Sequence, residues 1–198
     1  MFYRESMKKT IVYYTDNNIN DALMARVWDQ LVKAAKGIRI ITVSWKPVEF
    51  GVNVVVGEGT RSDASIFEQI AIGCEVAVDA DIIYLAEHDV MYHPSHFEYV
   101  PEREDTLYFN RNRWWWKDGK GYFKEHSKAC GRSQMVGYKN TIHKNYTDIT
   151  CDNKREWFMS PYPNVDIRHD RNFTDPRIGG GIVSTGIPFW DKNKLRGV

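Results

Sequence analysis

The segment Asp81-Ile-Ile-Tyr-Leu-Ala-Glu-His-Asp89 limits the possible folds more than any other stretch of this chain. Ile82 to Ala86 are apolar or aromatic without a break, the pattern of a central parallel strand covered on both faces rather than of a half-exposed one. The run stops at Glu87-His88-Asp89, three groups able to hold a metal ion or a proton. In open α/β sheets, ligands bind in the crevice beyond the carboxyl ends of the strands. That edge is therefore the first place to look for chemistry. The competing reading is a surface turn with solvated charges, because acidic residues are disfavoured within strands and tend to end them.

The preceding residues supply the rest of a parallel sheet. Ile11 to Thr15 reads as the first strand, broken by the turn formers Asp16-Asn17-Asn18. Asn20 suits a helix N-cap. Met24, Val27, Trp28, Leu31 and Ala35 then share one helical face, and Gly37 ends the helix. Arg39 to Ser44 and Val52 to Val56 follow as strands. Ser62 or Asp63 opens a second helix, with Phe67, Ile70, Ala71, Cys74 and Val78 as its buried stripe. This β-α-β-(β)-α-β order predicts an α/β fold: a mostly parallel Rossmann-type sheet flanked by helices.

After Asp89 the pattern shortens. Tyr92 to His96 reads as a loop, and Thr106 to Phe109 and Trp114 to Trp116 as the two strands of a hairpin. Gln134 to Tyr138 reads as a strand, Thr141 to Tyr146 as a helix start, and Asn164 to His169 as a short strand before the turn at Asp170 to Asn172. The tail, with Gly179 to Gly181, reads as loosely structured. The expectation is one domain over 1–198, with a nucleotide-binding half at about 10–90 and a smaller antiparallel half at about 91–198.

Composition excludes several classes. The formal charge of +1 argues against a general polyanion binder. No apolar run approaches the ~18 residues of a membrane span, and the start of the chain lacks the apolar core of a signal peptide. Cys74, Cys130 and Cys151 are odd in number and widely spaced, as expected of reduced thiols in a cytoplasmic protein. Trp114-Trp115-Trp116 permits two readings, packing beneath a loop or a flat platform for a sugar ring or a base.

At the acidic edge, a carboxylate and an imidazole on a rigid strand end suit Mn²⁺ or Mg²⁺, which takes oxygen ligands and fills its shell with phosphates. Arg61 stands in a glycine-bearing loop before a helix, where guanidinium and helix N-terminus both favour an anion. Gly57-x-Gly59 lacks the third glycine of a dinucleotide fingerprint.

This order of strand, Arg61-bearing loop, helix and buried strand ending in acidic residues resembles the nucleotide-sugar-dependent glycosyltransferases of the GT-A fold, small family-2-like members in particular. Glu87-His88-Asp89 stands where the family carries an Asp-x-Asp-type motif, with Glu87 replacing its first Asp. The resemblance covers the first half of the chain. It implies a metal-dependent transfer of a sugar from a nucleoside-diphosphate sugar, a UDP-sugar foremost, to an acceptor hydroxyl. The acceptor class stays open between a glycan, a protein, a small molecule and modified DNA. It implies Asp89 as metal ligand, completed by His169 from the C-terminal segment. Thr15, Asp16 and Asn17, with Arg61, Glu87 and His88, then face the donor nucleotide. Arg132, Ser133 and Gln134, with Trp115, face the acceptor, and His93 and His96 shape that side. His88, His126 and His143 are weaker metal candidates. Asp148, Asp152 and Glu156 are available as catalytic base, without a ranking among them.

Two other classes fit part of the same pattern. A nucleotidyltransferase also uses a parallel sheet and carboxylate-bound metal, although Thr15-Asp16-Asn17 carries no phosphate-binding glycine. A non-catalytic module that binds carbohydrate or nucleic acid would use the tryptophans with Arg111 and Arg113.

Overall fold

Strand β1 (Lys9–Thr15) lies at the centre of a seven-stranded sheet, between β2 (Arg39–Ser44) and β4 (Ile82–Glu87), parallel to both. The computed structural model describes residues 7–123, 131–148, 150–173, 182–191 and 195. Met1 to Ser6, His126, Cys130 and Gly179 to Gly181 lie outside the described residues. Strand β3 (Val52–Val55) extends the parallel set beyond β2. On the other side β4 pairs antiparallel with β9 (Met135–Tyr138), which pairs antiparallel with β6 (Thr106–Asn110). Edge strand β10 (Lys154–Phe158) runs parallel to β6. The order is β10-β6-β9-β4-β1-β2-β3, so the chain leaves β1 in one direction and returns to its other side at β4. That reversal opens a crevice at the carboxyl ends of β1 and β4.

The alternation of side chains explains why both faces are covered. Ile11, Tyr13, Ile82, Tyr84 and Ala86 point into one cluster with Leu31 and Ala35 of α1 (Asp21–Ala35). Val12, Tyr14, Ile83 and Leu85 point into another with Ile70 and Cys74 of α2 (Asp63–Val76) and Ile142 of α4 (Lys139–Thr147). The Asn20 side chain accepts from the N–H groups of Ala22 and Leu23, which fixes the start of α1. Lys36 and Gly37 in left-handed conformation end it. Ser62 and Ser65 cap α2 reciprocally. Helix α2 rides so close to β1 that a Cβ at Gly73 would stand 2.3 Å from Val12 Cγ1.

A second sheet has the order β12-β8-β7-β11-β5. It comprises β5 (Val90–Met91), β7 (Arg113–Lys117), β8 (Lys120–Phe123), β11 (Asn164–Ile167) and β12 (Ile182–Ser184). It is antiparallel except between β11 and β7. Trp114 and Trp116 pack there with Ile19, Leu23 and Val27, so α1 is held between the two sheets. Among the described residues no helix is long and apolar enough to cross a membrane.

Four expectations differ from this structure. The hairpin expected of β6 and β7 does not form: the two strands enter different sheets, and the chain turns where Asn110 Oδ1 accepts the Asn112 N–H. The hairpin partner of β7 is β8, through Asp118 and Gly119 at positive φ, as a tight two-residue turn requires. Tyr92 to His96 is not all loop, because Pro94 starts the short helix α3 (Pro94–Glu98) with His93 as its cap. Val78 is 75% exposed, since α2 ends at Val76 and the helical stripe ends with it. The tail is more ordered than its composition suggests: β12 joins the second sheet, and Ile187, Trp190 and Leu195 are buried.

Candidate active site

The crevice at the ends of β1 and β4 is a cavity of about 450 Å³. Thr15 and Asp16 enter it from β1, and Glu87, His88 and Asp89 from β4. Arg61 and Ser62 enter from the start of α2, and Asp166, Arg168 and Asn172 from β11 and its following turn. Trp45, Ile66, Phe67 and Tyr146 add flat and apolar wall.

His88, Asp89 and His169 form a cluster in which each offers one ligand atom and all these atoms lie within 4.8 Å of one another. His169 belongs to the cluster without lining the cavity wall. Its Nδ1 faces the Arg171 N–H at 3.2 Å, while its Nε2 is buried without a hydrogen-bond partner. A buried polar atom with no partner is costly, and a cation among these three groups would supply the missing contact. Burial lowers the pKa of both His88 and His169, and their mutual proximity lowers that of His169 further. Both rings are thus held neutral, the form that binds metal. Two imidazole nitrogens and one carboxylate suit a transition-metal cation such as Mn²⁺ better than Mg²⁺, which prefers an all-oxygen shell.

The surrounding charges are nearly matched. Arg61 is ion-paired with Asp16 and donates to the Arg171 carbonyl at 3.0 Å. His88 Nδ1 lies 2.7 Å from Thr15 Oγ1 and 3.7 Å from Asp16 Oδ1. Arg168 and Arg113 approach Asp166 Oδ2 at 3.3 and 3.8 Å, and their guanidinium groups lie over the Trp115 ring. Burial and the Asp89 carboxylate push Glu87 up to about 7, against the opposing pull of the Tyr14 hydroxyl that donates to it. Burial, then Asp166, likewise raise the pKa of Asp89. Without a counter-ion, these carboxylates ionise at a cost.

The candidate residues separate clearly in space. Thr15, Asp16, Arg61, Glu87, His88, Asp89, Arg132 and Ser133 line the cavity. Asn17 does not: its Oδ1 accepts the Lys46 N–H at 2.9 Å and shapes the turn after β1. Gln134 is buried in the framework, accepting from Asn164 Nδ2 at 2.8 Å. Trp115 lies behind the arginines, and all three tryptophans of the triplet are buried, so packing accounts for them rather than an open platform. Asp148, Asp152 and Glu156 lie away from the cavity wall. Asp148 accepts from Thr150, Asp152 is exposed, and Glu156 is ion-paired with Arg103 on the edge strand. His96 is fully buried behind the sheet, His93 caps α3, and His143 pairs with Glu75 on the surface.

Sequence reasoning missed Asp166, Arg168, Asn172 and Arg155 as wall residues, and used Arg113 only in the reading of a non-catalytic binding module. A signal was present for the first two: Asp166 lies in a short strand and Arg168 stands two residues on, just past its end, the spacing that puts extended residues on one face.

No family model and no curated protein matches the chain. Among solved structures it is similar to the bifunctional IspDF from Campylobacter jejuni, with a TM-score of 0.45 and 10% identity over 77% of this chain and 50% of that one. It is also similar to the inositol-1-phosphate CTP transferase from T. maritima, with a TM-score of 0.47 and 10% identity over 81% of this chain and 89% of that one. The chain spans about half the length of the IspDF that it matches. Neither is a sugar transferase by its description, and on this finding the glycosyltransferase expectation is corrected, together with its UDP-sugar donor and hexosyl transfer. The site departs from that expectation too: Glu87, in the place of the motif's first Asp, has its carboxylate engaged by Tyr14.

Proposed function

We propose that the chain is a divalent-cation-dependent nucleotidyltransferase whose substrate is a nucleoside triphosphate. The observation that carries this reading is the His88, Asp89 and His169 cluster beside a wall that includes Arg61, Arg113, Arg132, Arg155 and Arg168. Cation ligands and guanidinium groups in one crevice suit a polyphosphate, and planar guanidinium groups match phosphate oxygens bidentately. The arginines take the part that a glycine-rich phosphate loop plays elsewhere, which accounts for its absence after β1. Trp45, Ile66 and Phe67 offer an apolar flank for the base.

Transfer at phosphorus depends on positioning and on neutralising spread charge. His88, Asp89 and His169 would hold the cation, which supplies charge stabilisation to the phosphates and to the departing pyrophosphate. Arg61 would exchange its Asp16 and Arg171 contacts for phosphate oxygens. The acceptor's nucleophilic oxygen would approach from the side of Arg132 and Arg155, attack the α-phosphorus and form a new P–O bond as pyrophosphate leaves.

Thermal melting in the presence of each common nucleoside triphosphate, with Mn²⁺ or with EDTA, tests this reading. At a hundredfold excess over Kd, the bound nucleotide raises the melting temperature by roughly 5–10 °C for a chain of this size. The shift requires metal and is lost in Asp89→Asn. A chain that no triphosphate stabilises in Mn²⁺ is not this enzyme.

A further inference from the structure

The turn that follows β11 is tied to the cluster through one side chain. Asn172 Nδ2 donates to Asp89 Oδ2 at 2.6 Å, and Asn172 Oδ1 accepts the His169 N–H at 2.7 Å. Only one orientation of the amide satisfies both partners, because a carboxylate accepts and a backbone N–H donates. The backbone adds two bonds to the same bracket. The Ile167 N–H donates to the Asp89 carbonyl at 2.7 Å, and the Asn172 N–H to the His169 carbonyl at 3.3 Å. Asp89 and His169 lie eighty residues apart in sequence and on different sheets' connections, yet one amide spans them.

We infer that Asn172 is the positioning residue of the cation site, setting the spacing of Asp89 and His169 before any metal arrives. This rests on the proposed cation-dependent function and adds a residue to it. The chemistry selects Asn specifically. Asp in its place would set a like charge against Asp89, Ser is too short to reach both partners, and Ala reaches neither. Its Nδ2 also engages Asp89 Oδ2, which fixes the rotation of the carboxylate. The turn is at the surface, with Arg171 and Phe173 exposed on either side of the half-buried Asn172. Outer partners that orient metal ligands are commonly worth 10–100-fold in metal affinity.

The test is a Mn²⁺ titration read by the electron paramagnetic resonance of free Mn²⁺, without nucleotide, on the wild-type chain, Asn172→Ala and Asn172→Ser. Melting in EDTA is measured alongside. The expected result is one Mn²⁺ site in the wild type, weakened roughly 10–100-fold in both variants, with metal-free melting temperatures within a few degrees of one another. Affinities within twofold of wild type in either folded variant overturn the role of Asn172 and leave the cation site standing. Absence of Mn²⁺ binding in the wild type overturns the proposed function itself, and the role of Asn172 with it.

Discussion

Two places in this molecule bury an imidazole Nε2 without a hydrogen-bond partner, and they differ in what surrounds it. His96 is fully buried among Tyr84, Tyr92, Phe97 and Phe158, with Asn110 Nδ2 donating to its Nδ1 at 3.2 Å. Its Nε2 has no hydrogen-bond partner, as is true of His169. No charged group contributes to its pKa, which burial alone lowers to about 3. His169 instead faces His88 and Asp89, with arginines and further carboxylates around the same crevice. A buried imidazole is therefore not a site in itself. Convergent carboxylates that ionise at a cost, with arginines in the same wall, are what distinguish the second place from the first.

The comparison is sharpest in His96→Leu. The variant should keep the whole metal- and triphosphate-dependent rise in melting temperature, because His96 lies outside the cavity wall. Its stability should change most with pH. The folded pKa of about 3 lies below the ordinary 6.5, so between these values the unfolded chain binds the proton and the native chain does not. His96 therefore costs the wild type stability as pH falls from about 6.5 toward 3, by about 1.4 kcal/mol per pH unit. Denaturant melts of both proteins should diverge with that slope, the variant gaining on the wild type in acid. Asn110 Nδ2 keeps its bond to Ser160 Oγ at 2.8 Å and loses the one to His96, a cost that does not vary with pH and so leaves the difference in slope intact. Parallel pH curves would mean that His96 is not held neutral, and loss of the metal response would mean that the two places are not independent.

A smaller effect is expected of Glu87→Gln. The folded pKa of Glu87 is raised from its ordinary 4.5 to about 7. Its contribution to stability is therefore fully present below pH 4.5 and is lost as the pH rises through about 7. Gln keeps an acceptor for the Tyr14 hydroxyl and carries no charge to bury. At pH 8 the metal-free variant should be more stable than the wild type by about 1–2 kcal/mol, a discounted figure for a side chain that still meets solvent. Near pH 4 the two should melt together. Equal stability at pH 8 would show that the carboxylate already has a compensating partner without metal.

The central sheet was legible in the sequence because its signals are local. An unbroken apolar run, an Asn or Ser cap and a glycine stop each act within a few residues, and β1, α1, β2, α2 and β4 follow them. The second half was less legible because its pairings are long-range. Thr106 to Phe109 and Trp114 to Trp116 carry the same strand pattern, and nothing in a period of two says which sheet each joins. The same limit applied at the site. The strand-end carboxylates are local, whereas Asp166, Arg168 and Asn172 arrive through the pairing of β11 with β5 and β7. Function was misread where the resemblance outran the residues: the order of elements up to Asp89 suits more than one nucleotide-using enzyme class, and it was the sugar donor that failed.

The most direct test of the account is crystallographic: diffraction from crystals grown in Mn²⁺, with data collected on both sides of the manganese absorption edge. The account predicts one strong anomalous peak within coordination distance, about 2.0–2.3 Å, of atoms from His88, Asp89 and His169. Manganese bound elsewhere, with those three side chains bonded only to protein or water, would contradict it.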